Sequence, residues 1–137
     1  MRIDRTTLLF FDASCLIAAA GSSTGGSAFL LSLCSRNLLR GAVSQAVLLE
    51  AERNIRAKLG SQALAAYHGL LQVVPLVLAS VPRVPTRATW LQVVNGKDAH
   101  VVASALAVKA PFVLTLDRGL VEQVNQAGLR FGSKVCW

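Results

Sequence analysis

Two stretches of this sequence share one design, a near-continuous apolar run closed by an aspartate. Leu8-Leu9-Phe10-Phe11 runs into Asp12, and Phe112-Val113-Leu114-Thr115-Leu116 runs into Asp117. Runs of this kind, without polar alternation, belong to strands covered on both faces, as in parallel sheets. A parallel sheet needs helical crossovers between its strands, and the intervening sequence supplies them. The expected fold class is therefore α/β: a three-layer α/β/α sandwich around a central, mainly parallel sheet, with residues 1–137 as a single domain.

The remaining elements follow from periodicity and punctuation. Phe29, Leu30, Leu33 and Leu38 recur at helical spacing over about 27–39, and Gly41 is expected to stop that helix. Gly21 to Gly26 reads as loop, and Ala42-Val43 as a short second strand. Ser44 is placed to cap a helix to about Leu59 whose apolar stripe is Val47, Leu48, Ala51 and Ile55. Ser61 is expected to cap an Ala-rich helix to about Leu71. A third strand is predicted over Val73–Leu78, at an edge or bulge because Pro75 cannot donate to a ladder. Helices are predicted over about 86–94, ending at Asn95-Gly96, from Asp98 to about Lys109, and from Gly119 to Ala127. A short strand over Leu129–Phe131 completes the alternation.

The charge balance narrows the class of partner. Fourteen Lys and Arg face only seven acids, a net charge of +7 with a pI near 10.2. That balance favours a polyanion or an acidic protein as partner, and equally serves solubility. Cys15, Cys34 and Cys136 are odd in number and widely spaced, which fits neither a disulfide framework nor a zinc site and suits a reducing cytoplasm. Arg2 and Arg5 ahead of an apolar stretch imitate a secretory signal, but Asp12 interrupts it. No apolar run approaches the ~18 residues of a membrane span, so a soluble, cytoplasmic protein is expected.

In a parallel sheet, ligands bind beyond the carboxyl ends of the strands. Asp12 and Asp117 lie there although 105 positions apart. Glu50 lies within two helical turns of the second strand, and Asp98 opens the helix before the last long strand, so four acids can meet. Two carboxylates ~4 Å apart repel by about 4 kcal/mol at an effective dielectric of 20. A hard divalent cation, Mg²⁺ or Mn²⁺, offsets that repulsion, lowers the pKa of a bound water and stabilises charge on a phosphodiester.

Four blocks then carry a likeness: Leu9-Phe10-Phe11-Asp12-Ala13-Ser14, Val43-Ser44 with Glu50, Asp98-Ala99-His100-Val101-Val102-Ala103-Ser104-Ala105, and Val113-Leu114-Thr115-Leu116-Asp117. In this order and spacing the chain resembles the PIN-domain family of metal-dependent ribonucleases. The resemblance implies an α/β/α sandwich and Mg²⁺ or Mn²⁺ as cofactor. The activity it implies is endoribonuclease cleavage of RNA phosphodiesters. Many prokaryotic members are VapC-type toxins, so it also implies a possible type II toxin–antitoxin setting with a cognate antitoxin and a homodimer. By position, Asp12, Glu50, Asp98 and Asp117 match the family's metal-site acids, and Ser14 and Thr115 match supporting hydroxyls. Some members carry a further acid where this chain has Gly119, so one ion is the safer expectation.

Blander roles stand beside these. Asp12, Asp117 and Asp98 can be turn or cap residues. Glu52 rivals Glu50, which is favoured by its stripe and its six-residue step from Ser44. Arg118 either meets a phosphate or pairs with nearby acids. His100, two residues after Asp98, points about 200° away around the helix and reads as a solvated or packing residue, as does His68. Ser104, His100 and Asp98 share one helix and cannot form a catalytic relay. Trp90 and Trp137 read as packing or subunit-contact residues rather than base-stacking platforms, and Asp4 and Glu122 as surface charges. The alternative to cleavage is a non-catalytic RNA-binding or scaffold module, and other metal-dependent phosphoesterase chemistry shares the same acids.

Overall fold

The computed structural model describes residues 3–80, 96–127 and 134–136, with 96–98, 124–127 and 134–136 described by backbone alone. The strands are β1 (Leu8–Phe11), β2 (Arg40–Ser44), β3 (Leu76–Ala79), β4 (Phe112–Leu114) and β5 (Lys134–Cys136). They form one sheet in the order β3-β2-β1-β4-β5, and every pairing is parallel. The helices are α1 (Ala13–Gly21), α2 (Gly26–Ser35), α3 (Gln45–Lys58), α4 (Ser61–Val73), α5 (Gly96–Ala107) and α6 (Arg118–Ala127). Helices α1 to α4 pack on one another, while α5 packs on β2, β3 and β4, so the sheet lies between helical layers. Burial follows this order: Leu9, Phe10 and Phe11 of β1 and all of β4 are buried, whereas the edge strand β3 leaves Val77 and Leu78 exposed. The α/β/α expectation is met, with a wholly parallel sheet.

Local chemistry explains most boundaries. Ser44 caps α3 as expected, its Oγ accepting from the Val47 N–H at 3.1 Å, and Val47, Ala51 and Ile55 form the buried stripe. Pro75 lies just before β3 at the sheet edge, although Val73 belongs to α4 and the strand begins later than the periodicity predicts. The α4 cap is Gly60, in the left-handed region at φ 89°, and Ser61 is already helical. Helix α1 has no counterpart in the sequence reading. Its segment is apolar all round, so it has no polar face to reveal a period, and Ala13, Cys15, Leu16, Ala19 and Ala20 are buried.

Three boundaries differ in instructive ways. The second helix ends at Ser35, with Asn37 at φ 59°, rather than running to 39. Gly41 lies inside β2, not at a helix stop: a Cβ there would stand 2.7 Å from Leu76 Cδ2 and 2.9 Å from Phe11 Cε2. Asp98 lies in the first turn of α5, which begins at Gly96 and ends before Lys109, itself at φ 59°. The predicted helix over 86–94 and strand over 129–131 lie outside the described residues. The fifth strand that is described, Lys134–Cys136, sets Val135 beside Val113. Among the described residues, no single helix is long and apolar enough to cross a membrane.

The crowding at Gly41 yields a test. A Gly→Ala change in an unstrained strand gains about 0.4–1 kcal/mol through the unfolded chain. Overpacking against a rigid Phe11 ring costs about 1–3 kcal/mol and outweighs it. Gly41→Ala is therefore expected to lower the urea midpoint, and an unchanged or raised midpoint would show that Leu76 and Phe11 yield freely.

Candidate active site

The sheet reverses its chain order at β1, whose neighbours are β2 on one side and β4 on the other. Residues leaving β1 and β4 therefore emerge side by side at the carboxyl edge, at a topological switch point. Asp12 follows β1 and is only 6% exposed. It caps α1, with φ −75° and ψ 158°, and its Oδ1 accepts from the Ala13 N–H at 2.8 Å. Its own N–H donates to the Leu114 carbonyl at 2.9 Å, which fastens it to β4.

Two hydroxyls complete its surroundings. Thr115 Oγ1 donates to Asp12 Oδ2 at 2.7 Å, and Ser14 Oγ donates to the same oxygen at 3.1 Å. Each hydroxyl also accepts a backbone N–H: Leu116 N–H to Ser14 Oγ at 2.9 Å and Asp117 N–H to Thr115 Oγ1 at 3.1 Å. The pattern has a direction. Each hydroxyl receives a backbone proton and spends its single proton on Asp12, which serves as an acceptor only. The same bonds explain why β4 is shorter than its apolar run, since Leu116 turns its N–H to Ser14 instead of a ladder.

Asp117 is half-buried and begins α6, its Oδ1 accepting from the Leu120 N–H at 3.2 Å. Among the described residues its Oδ2 has no hydrogen-bond partner. Arg118 beside it is exposed and forms no ion pair among the described residues. At Gly119 an added Cβ would stand 3.3 Å from Asp117 Oδ1.

Glu50 and Glu52 face different neighbours. Glu52 Oε1 is 3.0 Å from His68 Nε2 on α4 and 3.5 Å from Arg56. The His68 hydrogen bond, above all, holds the Glu52 carboxyl below the usual range. The half-buried Glu50 has no such partner among the described residues and lines an open groove together with Arg53, Asn54 and His100. His100 is thus a groove residue, which its angular offset from Asp98 did not suggest.

The structure brings Asp12, Ser14, Thr115 and Asp117 into one network. Among the described residues no three His, Cys, Asp or Glu side chains are grouped to hold a metal ion. Glu50 is therefore not drawn into such a group with Asp12 and Asp117, and the Asp98 side chain lies outside the described residues.

A family model for the PIN domain matches residues 9–119, which contain all four acids. The chain belongs to the PIN domain family. Three solved structures show how far the PIN fold extends along it. VapBC2 from Rickettsia felis, bound to a DNA fragment of its promoter, aligns with a TM-score of 0.69 at 14% identity, over 96% of this chain and 99% of that one. PAE2754 from Pyrobaculum aerophilum gives 0.58 at 18% identity, over 95% and 83%. VapC20 from Mycobacterium tuberculosis, a toxin that cleaves the sarcin–ricin loop, gives 0.55 at 18% identity, over 80% and 89%. At these identities the likeness is one of fold. A sequence comparison with curated proteins finds no match.

The hydroxyl relay makes a stability prediction. Thr115→Val keeps the shape but removes a bond to a charged group and orphans the Asp117 N–H, a loss of about 2–3 kcal/mol. Thr115→Ser keeps the relay and loses one buried methyl, about 1 kcal/mol. Chemical unfolding should rank wild type above Ser above Val, and a Val variant as stable as Ser would remove the relay from the account.

Proposed function

We propose that this PIN domain is a metal-dependent endoribonuclease and the toxin of a toxin–antitoxin pair, acting in the cytoplasm. The observation that carries the reading is Asp12: a nearly buried carboxylate supported, among the described residues, by neutral donors alone, beside the half-buried Asp117. Such donors hold a negative charge without cancelling it. The donor set is hard oxygen throughout, which fits Mg²⁺ or Mn²⁺ and not a soft metal. Asp12, Asp117 and Asp98 would hold the ion, with Glu50 added on the family resemblance and not on a grouping of its side chain with Asp12 and Asp117. When bound, it supplies an activated water and charge stabilisation at the phosphodiester.

The chain's own residues do the rest. Ser14 and Thr115 fix the Asp12 rotamer, so that a free lone pair of its carboxylate is pre-aimed rather than ordered on binding. Asp117 offers its Oδ2, unpartnered among the described residues, and the exposed Arg118 next to it would take a phosphate of the RNA backbone. Gly119 brings no further acid, which favours a single ion.

An antitoxin partner fits a second feature. Between α1 and α2 lies an apolar cleft of about 450 Å³ whose wall includes Phe29, Leu30 and Leu116. Phe29 is 60% and Leu116 47% exposed, and Leu116 separates Thr115 from Asp117. An antitoxin segment with apolar anchors and acidic flanks suits that cleft and the +7 charge. The family resemblance adds a homodimer as the expected assembly.

Asp12→Asn and Asp98→Asn are each expected to abolish Mn²⁺-dependent cleavage of a single-stranded RNA while leaving the circular dichroism spectrum unchanged. Mn²⁺ should raise the Tm of wild type more than that of Asp12→Asn by ligand linkage. Full cleavage by both variants, or equal Tm shifts, would sink the reading.

A further inference from the structure

Helix α3 carries two stripes. Val47, Ala51 and Ile55 face the core, while Ala46, Glu50, Arg53, Asn54 and Ala57, at spacings of four, three, one and three, line an open groove. His100 of α5 lines the same groove, whose volume is about 690 Å³. That size falls within the roughly 300–1,000 Å³ of small-ligand sites.

The polar groups of the groove are sorted for a ligand rather than for one another. Arg53 is exposed and forms no ion pair among the described residues, although Arg56, three residues on, is 3.5 Å from Glu52. The Asn54 Nδ2 donates to the Glu50 carbonyl at 2.9 Å, which fixes the amide and leaves its Oδ1 as an acceptor. The Nδ1 of His100 is buried and has no partner among the described residues. An unpaired buried N–H is costlier than an unpaired acceptor, so the neutral ring carries its proton on Nε2 and acts as a donor there. The half-exposed Leu49 and the two alanines add apolar surface. Donors for a phosphate, an acceptor for a hydroxyl or amino group, and an apolar bed for a base together describe a nucleotide.

We propose that this α3–α5 groove seats a nucleotide of the RNA strand next to the cleaved bond, with Arg53 gripping its phosphate and His100 donating a hydrogen bond to it. The proposal rests on the ribonuclease reading, in which Glu50 of this groove also serves the ion that Asp12 and Asp117 would hold. A phosphate held by a guanidinium anchored on helix α3 also registers the strand, so the groove sets which bond is presented and not only how tightly RNA is held.

The test uses the full chain and a labelled single-stranded RNA oligonucleotide, with binding read by fluorescence anisotropy without Mn²⁺ and cleavage read with it. Arg53→Gln should weaken binding roughly tenfold and reduce the slope of log affinity against log salt by about 0.7, the value of one phosphate contact on a single strand. It should raise KM with little change in kcat, and Arg53→Lys should restore the salt slope. His100→Gln should raise KM and leave the salt slope unchanged. Arg56→Gln, outside the groove, should match wild type. Wild type that cleaves RNA alongside Arg53→Gln and His100→Gln with unaltered KM would overturn the groove and leave the ribonuclease standing. Wild type that neither binds nor cleaves RNA would overturn both. A change in sedimentation coefficient without a change in RNA affinity would make the groove a contact between copies of this chain and overturn the proposal.

Discussion

Two backbone N–H groups at the end of β4 govern the chemistry of Asp12. The Leu116 N–H occupies Ser14 Oγ and the Asp117 N–H occupies Thr115 Oγ1, so both hydroxyl protons turn to one carboxylate oxygen. The first turn of α1 adds the Ala13 N–H and the positive end of its dipole. Among the described residues no Lys or Arg pairs with Asp12. This distinguishes it from a structural ion pair, in which a cation would neutralise the charge that burial makes expensive. Neutral donors lower the cost of the charge without cancelling it.

That arrangement depends on topology more than on local sequence. Asp12 and Asp117 become neighbours only because β1 pairs with β4 in register, Phe11 opposite Leu114, so that the two exits share one edge. Sliding the pairing by one residue would move Thr115 away from Asp12 and turn its side chain to the other face. The buried runs on both strands are packed in this register, with Phe10, Phe11, Val113 and Leu114 almost wholly enclosed. Core packing and site geometry are therefore one constraint.

This coupling also explains what the sequence shows and what it hides. β1, β4, the α3 stripe and the Ser44 cap are legible because each is a local pattern with a local cause. Helix α1 is hidden because its sequence is apolar on nearly every side and so shows no period, although Ser14, Ile17 and Ala18 are only partly buried. Gly41 is ambiguous because a glycine marks both a helix end and a place too tight for a Cβ, and only Leu76 and Phe11 decide between them. The relay through Ser14 and Thr115 was suggested by family resemblance, but its direction comes from two N–H groups that no side-chain pattern reports. The Leu116 N–H reaches Ser14 across 102 positions.

Helix α3 shows how one element separates charges that lie close together in sequence. Glu50 and Glu52 are about 200° apart around the helix, so residues two positions apart enter different surroundings. Glu52 meets His68 from α4, and its charge is used to tie two helices together. Glu50 meets no such partner among the described residues and stays available in the groove, with Arg53, which is likewise unpaired among them, one turn on. The seven acids and fourteen bases of the chain thus act less as an average charge than as sorted positions. Among the described residues, Glu52 is partnered with His68 and Arg56, whereas Glu50 and Arg53 on the neighbouring face are not.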